Sequence, residues 1–377
     1  MRQNTSPHRI GVGIVEASAQ RGWARAAHIP ALQSLEAFDI RGVSTTRMDS
    51  ARATAEALGI ALAFDNHKAL VERPEIDLVV VTVKVPEHRD IVLDALAAGK
   101  MVYCEWPLAR NLAEAEALAA FARERKVKTV VGLQGRLHPP IRFLRDLVRQ
   151  GAIGRPLSTS IRAHPREATW YGRFDPPFEF MTERANGATM LSIAVGHALE
   201  PLAQVLGEFE SLSAVVSNQR GDGVRLRDGS RIGNDAPDEI AAVGLLQDKV
   251  VASLHYSAGN VSGKPMSWEI LGGDGSLLVE SSAAGYLHMG DLSITLRQGM
   301  AAPRELTVPP AYSADHQGLA GPAAGVARLY SQLAEDLRMG TSTVPDFDTA
   351  LRRHRTLDAF GISFATGHVV RLSSRGQ

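Results

Sequence analysis

The chain has 377 residues, with Lys plus Arg and Asp plus Glu both at 41, so no net field draws it to nucleic acid or anionic membranes, and its length points to two cores. One cysteine, Cys104, excludes an intramolecular disulfide and suits a reducing compartment; the 12 histidines form no HExxH pair or Cys/His cluster and no GxSxG elbow is present, so no metal ligand is assigned. The start MRQNTSPHR lacks an apolar signal core and no segment approaches about eighteen continuous apolar residues, so a cytoplasmic protein without a membrane partner is expected.

RIGVGIV, ending at Val15, reads as a buried strand that carries Gly11 and Gly13 within it, where a GxGxxG dinucleotide fingerprint would place its glycines at the turn beyond. FDIRGVS is the next strand. DSARATAEALG follows as a helix that Asp49 or Ser50 can cap and Gly59 can stop. EIDLVVVTV is apolar on both faces, as central parallel strands are. PEHRDIVLDALAAGK is a helix with Pro86 in its first turn and Gly99 beyond its end. MVYCE is a strand, NLAEAEALAAFARERK an amphipathic helix that Asn111 can cap, and KTVVGLQ a closing strand. This alternation predicts an N-terminal Rossmann domain with a doubly wound parallel sheet over residues 1–135.

Residues 136–377 read as a C-terminal α/β domain with a large, open, mostly antiparallel sheet, suited to a homodimer or higher homo-oligomer. PPIRFLRDLVRQG is a helix; LSTSIRAH, FESLSAVVSN, DEIAAVGLLQDKVVASLHYSA, SWEILGGDGSLLVES and LSITLRQ are strands or hairpins turning at Gln247–Asp248 and Gly272–Gly275. The Gly-, Asp- and Arg-rich stretch from Arg220 to Pro237 reads as an exposed loop. A final helix is expected over about 346–366, packing back on the body.

Read together, AAHIPAL (His28, Pro30), VPEHRDIVLDALAAGKMVYCEWPLA, LQGR (Gln134, Arg136), GAIG and VGHALE around His197 resemble the Gfo/Idh/MocA oxidoreductase family over nearly the whole chain. GWARAAHIPAL, CEWPLA, LQGRLHPPI, WYG and APDE are similar to one subgroup of it, that of the yeast galactose-pathway transcriptional inhibitor and its bacterial relatives. The resemblance implies NAD(P)-dependent oxidation of a sugar, cyclitol or polyol hydroxyl, or the reverse reduction. The alternative it implies is a catalytically silent nucleotide-binding sensor with a protein partner.

The resemblance also marks the sites. Glu16 takes the first fingerprint position and Gly22 the last, with Ala17, Ser18 and Ala19 as small residues between them, Trp23 following, and amides that can cradle a pyrophosphate. Ser44, Thr45, Thr46 and Arg47 end the second strand without a carboxylate, which favours NADP over NAD while leaving NAD possible. Val83, Lys84 and His88 lie in the turn of the next motif, His88 as scaffolding. Glu105 and Pro107 match Glu-Lys-Pro, with a cis bond implied before Pro107, and Gln134 completes the cofactor set. The lysine position is Trp106 and the motif aspartate position is Ile193, both apolar. His197 is left as the matched acid/base, with Tyr171 or Lys84 as helpers. Trp106, Arg136, Trp170, Tyr171 and His197 are the substrate candidates; an ion pair for Arg136, a packing role for Trp106 and the aromatics, and an exposed turn lysine for Lys84 stand beside those readings.

Overall fold

A computed structural model describes residues 9–259, 263–313 and 318–372. The chain divides into two compact units: the first holds the described residues of 1–109, 113–134 and 315–351, the second those of 110–112, 135–314 and 352–377. The expected boundary near residue 135 is therefore not the only one. Residues 318–351, assigned to the C-terminal domain from the sequence, pack with the first unit.

The first unit is built on six parallel strands, β1 (Ile10–Val15), β2 (Phe38–Ser44), β3 (Leu62–Phe64), β4 (Leu78–Val81), β5 (Met101–Cys104) and β6 (Thr129–Val131), in the order β3-β2-β1-β4-β5-β6. Every residue of β4 is buried, as its unbroken apolar run requires. Gly11 and Gly13 are packing glycines: a Cβ at Gly11 would lie 2.0 Å from the Glu75 carbonyl oxygen, and one at Gly13 2.6 Å from Leu70. The helix after β1 starts as a π-turned segment, Ala24–His28, and continues as α1 (Ile29–Gln33). Next come α2 (Met48–Leu58), α3 (His67–Val71), α4 (Val85–Ala97) and α5 (Leu112–Arg125). Helix α2 starts before Asp49 and Ser50, so neither caps it; Asp49 lies in its first turn and Gly59, in the left-handed region, stops it as expected.

The second unit opens with α6 (Pro139–Arg149) and carries strands β7 (Pro156–Ala163), β8 (Arg173–Phe174), β9 (Phe209–Ser217), β10 (Gly223–Arg225), β11 (Arg231–Ile232), β12 (Glu239–Leu246), β13 (Val251–Ser257), β14 (Met266–Gly272), β15 (Gly275–Ser281), β16 (Leu292–Gln298), β17 (Arg304–Leu306) and β18 (Val370–Arg371). Nine of them form one sheet, β17-β16-β15-β14-β7-β13-β12-β9-β18, antiparallel except at β7/β13. The stretch expected as a loop between Arg220 and Pro237 contributes β10 and β11 to a small sheet with β8.

Between β8 and β9 runs α7 (Gly196–Leu206), entered through a second π-turned segment, Leu191–Val195. Residues 184–206 form the one helical stretch among those described that is long and apolar enough to cross a bilayer, and 78% of its apolar window is buried inside the protein, as a core helix would be. Helix α8 (Gly321–Met339), which the sequence reading left unassigned, belongs to the first unit and sets Tyr330 against Phe38 and Tyr103. The last helix, α9 (Phe347–Thr366), lies under β9, where Ser363 Oγ accepts from the Ala214 amide at 3.1 Å. The strands alternate accordingly: Leu212, Ala214, Val216, Ile240 and Ala242 are buried, while Val215, Val243 and Val251 on the other face are 53%, 59% and 54% exposed.

Candidate functional site

The carboxyl ends of five strands in the first unit line up in one row. Ser44 pairs with Val15, Val15 with Val81, Val81 with Cys104 and Cys104 with Val131. In parallel strands this register delivers everything that follows each strand to the same edge: Glu16–Trp23, Thr45–Arg47, Val83–Lys84, Glu105–Trp106 and Gln134. The strand order reverses between β1 and its neighbours β2 and β4, and such a switch point is where open α/β sheets bind ligands.

The first turn departs from expectation in its donors. Glu16, with φ at 62°, holds the left-handed conformation a fingerprint glycine would take, and Gly22 follows at 85°. The amides of Glu16 and Ala17 both donate to the Ser44 carbonyl, at 2.8 and 3.3 Å. They tie β1 to β2, so the Ala17 amide, expected with those of Ser18 and Ala19 in a phosphate cradle, is spent inside the sheet. Partial desolvation and the neighbouring Glu87 raise the Glu16 carboxyl above its ordinary pKa, against Arg21 and Lys84, so the turn's negative charge is partly offset.

Ser18 and Ala19 are half-buried, and Arg25 is engaged by donating to the Ala19 carbonyl at 2.9 Å. At the end of β2, Thr45 Oγ1 bonds Ser50 and the Arg47 carbonyl, Thr46 is exposed, and the Arg47 side chain is 78% exposed. The Ser44 hydroxyl, the Trp23 indole N–H and the Gln134 side-chain oxygen are all enclosed without a hydrogen-bond partner among the described residues. Enclosed polar atoms of this kind call for a reason, and three of them, on the last residue of β2 and on the turns after β1 and β6, fit a polar ligand on that edge.

A buried network fixes the loop after β5. His28, at the end of the first π-turn, bonds Tyr330 OH through Nδ1 at 2.7 Å and Glu105 Oε1 through Nε2 at 2.9 Å. Gly132 makes room for the Glu105 carboxylate: a Cβ there would lie 2.6 Å from it. Trp106 is buried, at 6% exposure, and the Trp106–Pro107 bond is cis, as the resemblance implied. Fully enclosed His88 joins this loop to the turn after β4, with Nδ1 at 2.9 Å from the Pro107 carbonyl and Nε2 at 3.1 Å from that of Val83. Burial lowers its pKa while the carbonyls of Val83 and Pro107 act to raise it. Lys84 is the exposed N-cap residue of α4, at the carboxyl edge as expected.

The second unit gathers a different set. His197, in the first turn of α7, is buried, and desolvation brings its pKa down to about 3. Its imidazole stacks on that of His288, with centroids 3.8 Å apart and planes 16° from parallel. His288 was not among the sequence candidates; it lies between β15 and β16, with no periodicity or motif to mark it. Arg136, expected as a substrate ligand, is engaged instead: its Nε donates to Glu200 Oε1 at 2.6 Å, and Glu200 also faces buried Arg353. Trp170 spends its indole N–H on Tyr286 OH at 2.8 Å. Tyr171 has the Arg220 guanidinium 5.1 Å from its ring centre and its hydroxyl 3.4 Å from the Gly259 carbonyl. Ile193 stands half-buried in the π-turn before His197.

Residues 12–133 match the family described as "Oxidoreductase family, NAD-binding Rossmann fold", and residues 139–281 match the C-terminal domain of Gal80p. Dehydrogenase aclE of Aspergillus oryzae is 35% identical over 289 residues, covering 72% of this chain and 77% of its own. The galactose/lactose metabolism regulatory protein GAL80 of Saccharomyces cerevisiae is 29% identical over 315 residues, covering 77% of this chain and 70% of its own. A crystal structure of a super-repressor mutant of that protein superposes with a TM-score of 0.86 at 24% identity, covering 97% of this chain and 98% of that one. A levoglucosan dehydrogenase in complex with NADH and levoglucosan superposes at 0.83, at 18% identity, covering 97% and 100%.

Proposed function

We propose, for a chain that belongs to the Gfo/Idh/MocA oxidoreductase family and carries an NAD-binding Rossmann fold and a Gal80p-like C-terminal domain, that it binds a nicotinamide dinucleotide on its first unit and acts on a hydroxyl or carbonyl of a sugar, cyclitol or related polyol. The observation that carries the reading is the row of five strand ends, with its enclosed, unpartnered Ser44, Trp23 and Gln134 atoms. The turn Ser18–Trp23 would face the pyrophosphate, Thr45–Arg47 the ribose, and the loop Glu105–Pro107 the nicotinamide side. Hydroxyls and an exposed guanidinium in place of a strand-end carboxylate support NADP over NAD. When bound, the dinucleotide supplies or takes up the hydride.

His28 and Glu105 hold the loop that carries Trp106, and Trp106 excludes water there. His197 meets a substrate hydroxyl as a neutral hydrogen-bond acceptor, since burial brings its pKa down to about 3. A sugar-like substrate is supported by the levoglucosan dehydrogenase likeness. We also infer a cytoplasmic protein that pairs with further copies through the open sheet face, whose exposed Val215, Val243 and Val251 line an apolar surface.

One set of observations favours a second reading, a silent nucleotide-binding sensor that answers to a protein partner. Trp106 replaces the motif lysine, Ile193 the motif aspartate, and His197 lacks a pKa suited to proton exchange near neutrality. The test is a panel of sugars and polyols, followed by nicotinamide absorbance, with wild type, His197→Ala and Trp106→Lys. Turnover by the wild type that His197→Ala abolishes supports the enzyme. Nucleotide binding without turnover, with activity appearing in Trp106→Lys, supports the sensor and overturns the enzyme.

A further inference from the structure

We propose that His288 is a positioning residue for His197: its ring stacks face to face on the other imidazole, fixes the plane in which that ring meets a ligand, and shuts water off one side. The proposal rests on the reading of His197 as a ligand-facing residue. It concerns a residue that no motif marks and that lies far from His197 in the chain.

Three features carry it. The two rings are nearly parallel at 3.8 Å, His197 at 6% and His288 at 4% exposure, and the Nδ1 of each is enclosed without a hydrogen-bond partner among the described residues. His288 is thus held by its face and not by a hydrogen bond, and an aliphatic side chain would fill the space without burying a second polar ring. The segment that carries it has no regular structure, yet it is pinned on every side. Tyr286 OH accepts from Trp170 Nε1 at 2.8 Å and donates to Glu167 at 2.7 Å, and the Leu287 carbonyl lies 3.1 Å from His138 Nδ1. Gly135 lies against both Pro201 and His288: a Cβ there would come 2.9 Å from the Pro201 ring and 3.0 Å from the His288 Cβ, so the glycine leaves room for both. A loop pinned this way holds its histidine to one position, which is what a site needs of its supporting residues.

The charge logic agrees with the geometry. Among the described residues, His138 and Tyr286 are the titratable groups set against the pair, while Glu200, three residues along α7, is paired with Arg136 and Arg353. Desolvation lowers both imidazoles, and at this separation a charge on one would oppose a charge on the other. His197 therefore presents an uncharged ring across about pH 5–8, so its hydrogen bond to a ligand hydroxyl does not switch with pH.

Side-chain NMR of histidine-labelled full-length protein tests this, with the His197 signal identified by its loss in His197→Gln. The variants are His288→Phe, which keeps a stacking ring, and His288→Ala, which removes it. The expected result is a His197 ring that does not titrate between about pH 5 and 8 in wild type or His288→Phe, and that gains a midpoint near the ordinary value of about 6.5 in His288→Ala. A His197 ring that titrates near 6.5 in the wild type, or that behaves in His288→Ala as in the wild type, overturns the proposal. Should His288→Ala not fold, the other two spectra decide, since titration in His288→Phe also overturns it. None of these readouts needs turnover, so failure of the oxidoreductase reading registers separately in the sugar panel.

Discussion

Glu200→Gln removes one negative charge from the second unit while keeping the shape of the side chain. The wild-type group sets Arg136 and Arg353 against Glu200 and Glu208, with Arg352 also 3.8 Å from Glu208, and with Glu200 1% and Arg353 2% exposed. The Arg136–Glu200 contact, at 2.6 Å, has the length of a charge-assisted hydrogen bond. In the variant Arg353 keeps Glu208 and the Leu199 carbonyl, while Arg136 faces a neutral amide and the cluster carries an uncompensated positive charge. Breaking a buried pair costs about 3–5 kcal/mol, and the retained Glu208 places this case near the lower figure, about 3 kcal/mol. At about 2–4 °C per kcal/mol for a unit of this size, the unfolding midpoint falls by about 6–12 °C. Thermal unfolding followed by circular dichroism, with Arg136→Met and the double variant completing a cycle, measures it. A drop under about 2 °C with no coupling would show that the pair contributes little, and would return Arg136 to the substrate role suggested by the sequence.

Asp336 gives a pH-dependent counterpart in the first unit. Burial pushes its carboxyl up, but donors from Thr341, Val344 and Thr343 outweigh that and bring it down to about 2, so its stabilisation is present above the ordinary carboxylate value and is lost as pH falls through about 2. Asp336→Asn should cost about 1–2 kcal/mol at pH 7 and close to nothing at the acid end, measured by denaturant unfolding against pH; an equal loss at both ends would contradict the assignment. On the open sheet, Val243→Lys sets a charge on a residue 59% exposed, and sedimentation should show copies separating while circular dichroism shows the fold retained; an unchanged assembly would remove that face from the interface. Arg47→Ala, at a side chain 78% exposed, should weaken NADPH about tenfold or more relative to NADH, about 1.4 kcal/mol, and equal losses for both would deny it the 2′-phosphate.

Much of the first unit was legible because central parallel strands are apolar on both faces, and because Gly59 and Gly99 stop their helices in the left-handed region at 67° and 73°. The hairpins were legible from alternation and turn residues: Gln247–Asp248 and Gly272–Gly275 lie where the strands reverse. What escaped depends on partners distant in the chain. Helix α8 buries Ala323, Ala324 and Ala327 beside Leu329 and Tyr330, and such small residues draw no bold stripe. The Arg136–Glu200 pair and the His197–His288 stack join residues that no local pattern relates. The Ala17 amide escapes for the same reason, since its acceptor, the Ser44 carbonyl, belongs to the next strand. The sequence showed the replaced lysine and aspartate at Trp106 and Ile193; only the packing showed how neutral the remaining histidine is.

The account turns on a dinucleotide at the carboxyl edge of the six-stranded sheet. Titration of purified full-length protein with NADPH and with NADH, read by the nicotinamide fluorescence, tests it most directly. The account predicts saturable one-site binding, tighter for NADPH. Absence of saturable binding by either nucleotide to the folded protein would contradict it.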